Sequence, residues 1–171
     1  MFMTLPETVD AWRMVSARRS FQGTLPIAGM GRLVEVLNDT VGMVEYTLDF
    51  GRDELGTAYL AVHAEAPLTL LCQRTLEPFV LPVTVDTRLG LIRFEDEEAG
   101  LPPGVEPLMV LDDRVHPVAV IEDELLLAVP LVPVSPQSDW PDEGLESEAP
   151  EAPPIPPEEN PFAVLRELQR K

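Results

Sequence analysis

Lysine is almost missing from this chain: among 171 residues only Lys171 is one. Cysteine is as scarce, with Cys72 alone, so no internal disulfide can form and a reducing, cytoplasmic compartment is expected. The lone thiol also starves any metal site. Zinc takes about four ligands, and only Cys72, His63, His116 and carboxylates could supply them. No metal or other cofactor is expected. No apolar run approaches the roughly 18 residues a membrane-crossing helix needs, and Met1–Asp10 lacks the basic stretch and long apolar run of a secretory signal. Nucleophilic catalysis is poorly supplied as well. Serine occurs only at 16, 20, 135, 138 and 147, never in a G-x-S-x-G setting. Gly29-Met30-Gly31 lacks the third glycine of a dinucleotide loop, and no P-loop exists. Asp112-Asp113 or Glu122-Asp123-Glu124 could do acid–base work in a pocket that shifted their pKa values. Adjacent like charges more often mark a solvated loop or helix turn. No catalytic residue is nominated, and neither an enzyme nor a small-molecule substrate is expected.

What the chain has in excess is negative charge, −18 overall, and its distribution says more than its sum. Residues 1–34 are net +2, residues 35–134 net −14, residues 135–159 net −8 and the last twelve net +2. A surface of that sign repels phosphate at long range and attracts basic proteins. The two ends can still touch RNA locally, because salt confines charge effects to about 10 Å.

Asp10 suits the cap of a helix over 11–17, with Trp12 and Val15 turned inward and Arg13, Arg18 and Arg19 left to solvent. A strand over 20–25 ends at Pro26. A second helix is expected over 28–37, because Met30, Leu33, Val34 and Leu37 share one helical face. The period then drops to two: Val44, Tyr46, Leu48 and Phe50 alternate with polar residues over 43–50. Further strands are expected at 58–64, 68–73, 79–87 and 89–94, with turns at 51–56 and 75–78. A helix over 118–129 is stopped by Pro130, with Ile121, Leu125 and Ala128 on one face. Residues 131–134 could return as an edge segment. The fold class is α+β: an antiparallel sheet, open or curled into a partial barrel, with flanking helices over residues 1–134.

Residues 135–159 hold eight carboxylates, seven prolines and no Lys or Arg. Such a stretch cannot bury enough apolar surface to offset its ordering, and it reads as a disordered acidic linker. Residues 160–171 read as a short amphipathic helix. Asn160 suits the cap, Pro161 the first turn, and Phe162, Leu165 and Leu168 recur on one face. That face either docks on the chain's own body or lies in a partner's groove.

Three stretches in order carry a family resemblance: Leu71-Cys72-Gln73-Arg74-Thr75-Leu76-Glu77-Pro78-Phe79, the run Ile121 to Val134, and Asn160-Pro161-Phe162-Ala163-Val164-Leu165 with its basic end. Together with Asp10 and Phe21-Gln22-Gly23, they resemble the bacterial large ribosomal RNA subunit accumulation family, YceD, over nearly the whole chain. The resemblance implies a cytoplasmic, non-enzymatic factor needed for large-subunit rRNA to accumulate. It also implies a partner in a large-subunit ribosomal protein or the rRNA precursor. Members often have a second cysteine where Thr75 stands, and some carry a further pair; their absence here argues against zinc. On this reading Glu122, Asp123 and Glu124, beside Pro130, are the expected contacts for a basic partner. Arg74 with Phe79 forms a second patch, unless Pro78 and Phe79 simply shape and fill the turn. Asn160, Pro161, Phe162 and Leu165 form a third, and Arg13, Arg18 and Arg19 are the expected RNA contacts. The alternatives are an rRNA-processing enzyme using a carboxylate site and a direct RNA-binding module.

Overall fold

The computed structural model describes residues 5–138; the expected linker from 139 on and the expected helix over 160–171, with Asn160, Pro161, Phe162 and Leu165, lie outside the described residues. A five-stranded sheet organises the described chain, with strand order β2-β3-β4-β5-β6: β2 is Ser20–Pro26, β3 Met43–Arg52, β4 Ala58–Leu71, β5 Pro78–Ile92 and β6 Glu106–Met109. Pairing is antiparallel except for β6, which runs parallel to the end of β5, with Leu89 opposite Glu106 and Ile92 opposite Met109. A second ladder pairs β1 (Val9–Asp10) with β7 (Arg114–Val115). The sheet stays open, so the expected class, α+β, stands without closure into a barrel, and the sheet is mixed rather than purely antiparallel.

Alternation decides the faces. Val44, Tyr46, Leu48 and Phe50 on β3 and Leu60, Val62, Ala64, Leu68 and Leu70 on β4 are buried, while their neighbours look to water. The buried face is covered by α1 (Ala11–Ser16) and α3 (Pro117–Ala128). On α1, the Asp10 side chain accepts the Arg13 amide at 2.9 Å, the expected cap. On α3, Ile121 and Leu125 are fully buried as expected, but Ala128 is exposed.

Four expectations need correction. The helix expected over 28–37 is instead a 3-10 turn at Ile27–Gly29 and a single α turn, α2, at Gly31–Val34. Met30 is the break, at φ −103° and ψ 89°, although Met30 and Leu33 are buried as the periodicity required. The strands expected at 58–64 and 68–73 are one strand, and so are those at 79–87 and 89–94. The first apparent interruption holds Pro67, which faces Pro82 in register; the second falls at Arg88, which pairs with Ala61 like its neighbours. β3 pairs β4 no further than Glu65, and β6 pairs β5 only from Leu89. Both prolines therefore lie where the sheet has thinned to a two-stranded ribbon and no ladder donor is needed on the outer side. Finally, residues 131–134 form no strand; a single bond from the Gln73 amide to the Pro133 carbonyl, 2.8 Å, holds them.

The register sets the layout of everything below. β4 has 14 residues, so at about 3.3 Å each its ends lie roughly 40 Å apart. At one end gather the close of α1, the start of β2, Arg52 and Arg93; at the other is the hairpin turn at 72–77.

Candidate functional site

The acidic run on α3 is divided by helical geometry. Glu122 is only 7% exposed. Its Oε1 accepts the amides of Arg32 at 2.7 Å and Leu33 at 3.0 Å, and its Oε2 accepts Arg32 Nη2 at 3.0 Å and Nε at 3.2 Å. The carboxylate thus satisfies amides at the start of α2 that the break at Met30 leaves open, and it grips the guanidinium of the same turn. Asp123, exposed, takes Nη1 of the same arginine. Burial alone would raise the Glu122 carboxyl; the Leu33 amide, the Arg32 guanidinium and the Arg32 amide outweigh it and hold the group below the usual carboxylate range. Glu124 points elsewhere. It is buried, and burial first, then Glu106 and Asp123, push its carboxyl up. The structure therefore brings Glu122 and Asp123 together on Arg32 and sends Glu124 toward Glu106.

The hairpin turn at 72–77 places Arg74 in the open and Phe79 half-buried at the start of β5. Arg74 Nη1 donates to the Ser138 carbonyl at 3.0 Å. Cys72 is fully buried beneath this segment, with the Ser135 amide 3.4 Å from its sulfur. That amide, then the Thr75 hydroxyl and the Thr75 and Arg74 amides, lower the thiol to about 6 against the opposing effect of burial. Among the described residues no group of three or more His, Cys, Asp or Glu side chains is placed to hold a metal ion.

The opposite end of the sheet carries the arginines expected to meet RNA. Arg13, Arg18 and Arg19 are all exposed, and among the described residues none has a carboxylate within ion-pair distance. Arg18 ends α1 in a left-handed conformation, φ 46°. Its amide bonds Val15 at 3.1 Å and the Arg19 amide bonds Met14 at 3.0 Å, the double bond of a Schellman cap. Glycine is the ordinary occupant there, and arginine accepts strain. The Arg19 carbonyl then accepts the Phe50 amide at 2.9 Å, which fixes this corner beside the end of β3.

Next to it lies an arrangement that sequence reasoning missed. Asp112 and Asp113 adopt left-handed φ values of 51° and 60°, and the Arg114 amide bonds the Leu111 carbonyl at 2.9 Å, a tight two-residue turn. Asp113 Oδ1 accepts Trp12 Nε1 at 2.6 Å and Arg93 Nη2 at 3.2 Å, and the Arg93 guanidinium lies 4.4 Å from the Trp12 ring centroid. An Asp-Asp pair between Leu111 and Arg114 is a turn signal; the partner 101 residues away has no local signature.

The fold and this layout define a small α+β scaffold with one charged cluster tied together between two helices around a buried carboxylate and another displayed on its surface. Residues 60–169 match the family described as large ribosomal RNA subunit accumulation protein YceD, and the chain belongs to that family. It is 29% identical over 173 residues to the large ribosomal RNA subunit accumulation protein YceD of Haemophilus influenzae, covering 98% of this chain and 97% of that one. No solved structure matches the chain. The family's description names the accumulation of an rRNA and no reaction. Among the described residues no helix is long and apolar enough to cross a membrane.

Proposed function

We propose that this protein promotes the accumulation of large-subunit rRNA in the bacterial cytoplasm, without catalysis, by binding the rRNA precursor at its arginine-bearing end. The observation that carries the reading is the placement of Arg13, Arg18 and Arg19. They stand exposed within one helix end of each other on a chain whose net charge is −18. A protein of that charge gains nothing from non-specific attraction to RNA, so a local contact must come from such a cluster. The acidic remainder suits a basic ribosomal protein as a second partner. The exposed run Glu95, Asp96 and Glu98 is better available for it than Glu122, whose carboxylate is already filled by Arg32. The near-full-length likeness to a protein named for rRNA accumulation supports the cellular role.

The test is the ratio of large- to small-subunit rRNA in cells lacking the protein, complemented either with the natural chain or with Arg13, Arg18 and Arg19 all changed to Gln. The expected result is a selective loss of the large-subunit species, restored only by the natural chain. Full restoration by the triple variant would remove the arginine contact from the reading. An unchanged ratio in the deletion would remove the role itself.

A further inference from the structure

Beside the exposed arginines, at the same end of the sheet, lies a cleft of about 530 Å³ whose walls include Trp12, Arg52, Arg93, Leu91, Gly100 and Leu101. We infer that this cleft receives an unstacked nucleobase of single-stranded RNA, an inference that rests on the reading that this end of the protein contacts RNA. Its volume is that of a small-ligand pocket. Leu91 and Leu101 give it apolar wall, and Trp12 and Arg93 give it a stacking plate. The guanidinium is ordered by the indole on one side and by Asp113 beside it. Bases splayed from a single strand stack on aromatic rings and on such guanidinium planes. Two of the nearby carboxylates, Asp113 and Glu97, are already engaged, while Glu95, Asp96 and Glu98 stay exposed. Asp113 is bonded to Trp12 and Arg93, and Glu97 Oε2 accepts the Arg93 amide at 2.6 Å and the Phe94 amide at 3.4 Å.

Phosphate has its own partners close by. Arg13 follows Trp12 in α1, and Arg19 is tied to Phe50, two residues before Arg52. A strand could therefore lay its backbone on Arg13, Arg18 and Arg19 and turn one base into the cleft. The order of parts favours RNA over a free nucleotide: the cleft supplies stacking, and the backbone contacts lie outside it.

Because the two tryptophans are Trp12 and Trp140, a full-length chain carrying Trp140→Phe reports on the cleft through Trp12 emission. Three probes are titrated: a single-stranded RNA oligonucleotide from large-subunit rRNA, the same oligonucleotide made abasic, and uridine monophosphate. The oligonucleotide is expected to quench Trp12, and the abasic version to bind without quenching. Gly100→Leu is the occluding variant, since a Cβ at Gly100 meets no atom within 4 Å and the backbone there needs no positive φ. It is expected to weaken oligonucleotide binding about ten-fold with its salt dependence intact. Changing Arg13, Arg18 and Arg19 to Gln is expected to reduce the salt slope by about 2 while leaving quenching at saturation.

Salt-dependent binding that is equal for abasic RNA and unaffected by Gly100→Leu would overturn the base site and leave the RNA reading standing. Uridine monophosphate binding as tightly as the oligonucleotide would make the cleft a nucleotide site instead and overturn the inference. No binding of any RNA by the natural chain would fail the underlying reading and the cleft with it.

Discussion

Arg32 and Arg18 sit in two short helical turns of the same protein and have opposite fates. Arg32 stays half exposed but is gripped by the buried Glu122 and by Asp123 from α3, which joins two elements that are far apart in sequence. Arg18 meets no carboxylate within ion-pair distance among the described residues, and it adopts a backbone conformation that glycine would adopt at less cost. Where a buried acceptor is waiting, charge holds the fold together. Where the chain accepts strain to keep an arginine in water, stability has been exchanged for something else, and recognition is the natural candidate.

The sharpest way to break this contrast is to empty the first cluster. Glu122→Ala leaves the Arg32 and Leu33 amides without their acceptor, and we expect a loss of about 2–3 kcal/mol in urea unfolding. The figure stays below that for a fully buried ion pair, because Arg32 is half exposed and water recovers its charge. A loss below about 0.5 kcal/mol, the range of ordinary surface changes, would show the contact to be incidental.

Arg18→Gly tests the other side. Relief of the left-handed strain should stabilise the protein by about 1 kcal/mol and at the same time weaken RNA binding. A variant that is more stable and binds RNA as well as the natural chain would separate the strain from any use. Since the substitution cannot be charged with unfolding the protein, that result would be unambiguous.

The smallest effect distinguishes two carboxylates on one helix. Glu124 has its folded pKa raised by burial, Glu106 and Asp123, so its favourable contribution is full below the unfolded carboxyl value and is lost as pH rises through the folded one. Glu122, with a lowered folded pKa, behaves oppositely: its contribution is present above the unfolded value and lost as pH falls through the folded one. Glu124→Gln should therefore stabilise the protein slightly at neutral pH, by under about 1 kcal/mol, with the gain vanishing below the ordinary carboxyl range near pH 4. Equal gains at both pH values would mean that ionisation of Glu124 is not what the substitution relieves.

Much of the scaffold could be read from local pattern. The alternation over 43–50, the Asp10 cap and the buried Met30 and Leu33 are properties of a few adjacent residues, and they fall where periodicity puts them. Proline misled the reading at 67, because its restriction depends on whether a neighbouring strand needs the missing amide, and the neighbours come from elsewhere in the chain. The parallel pairing of β6 with β5 follows no local rule. The same divide runs through the surface. Exposure of Arg13, Arg18 and Arg19 was legible from the short helix that carries them. The capture of Glu122 by Arg32, 90 residues away, was not, and neither was the meeting of Trp12, Arg93 and Asp113.

Among the described residues, the outer side of β5 has no partner strand from Pro78 to the start of its pairing with β6 at Leu89. A free edge of that length is a template on which another chain could add a strand. Opposed residues of an antiparallel ladder aim their amides either at each other or both outward. Two facing prolines, Pro67 and Pro82, suit the outward alternative, and Pro78 shares its parity with Pro82. The exposed rim of the ribbon thus lacks donors at two places, four residues apart, and Asp86 and Arg88 put charge on the rest. Prolines that cost this ribbon nothing inside its own ladder thus guard its rim against a second copy of the protein zipping onto it.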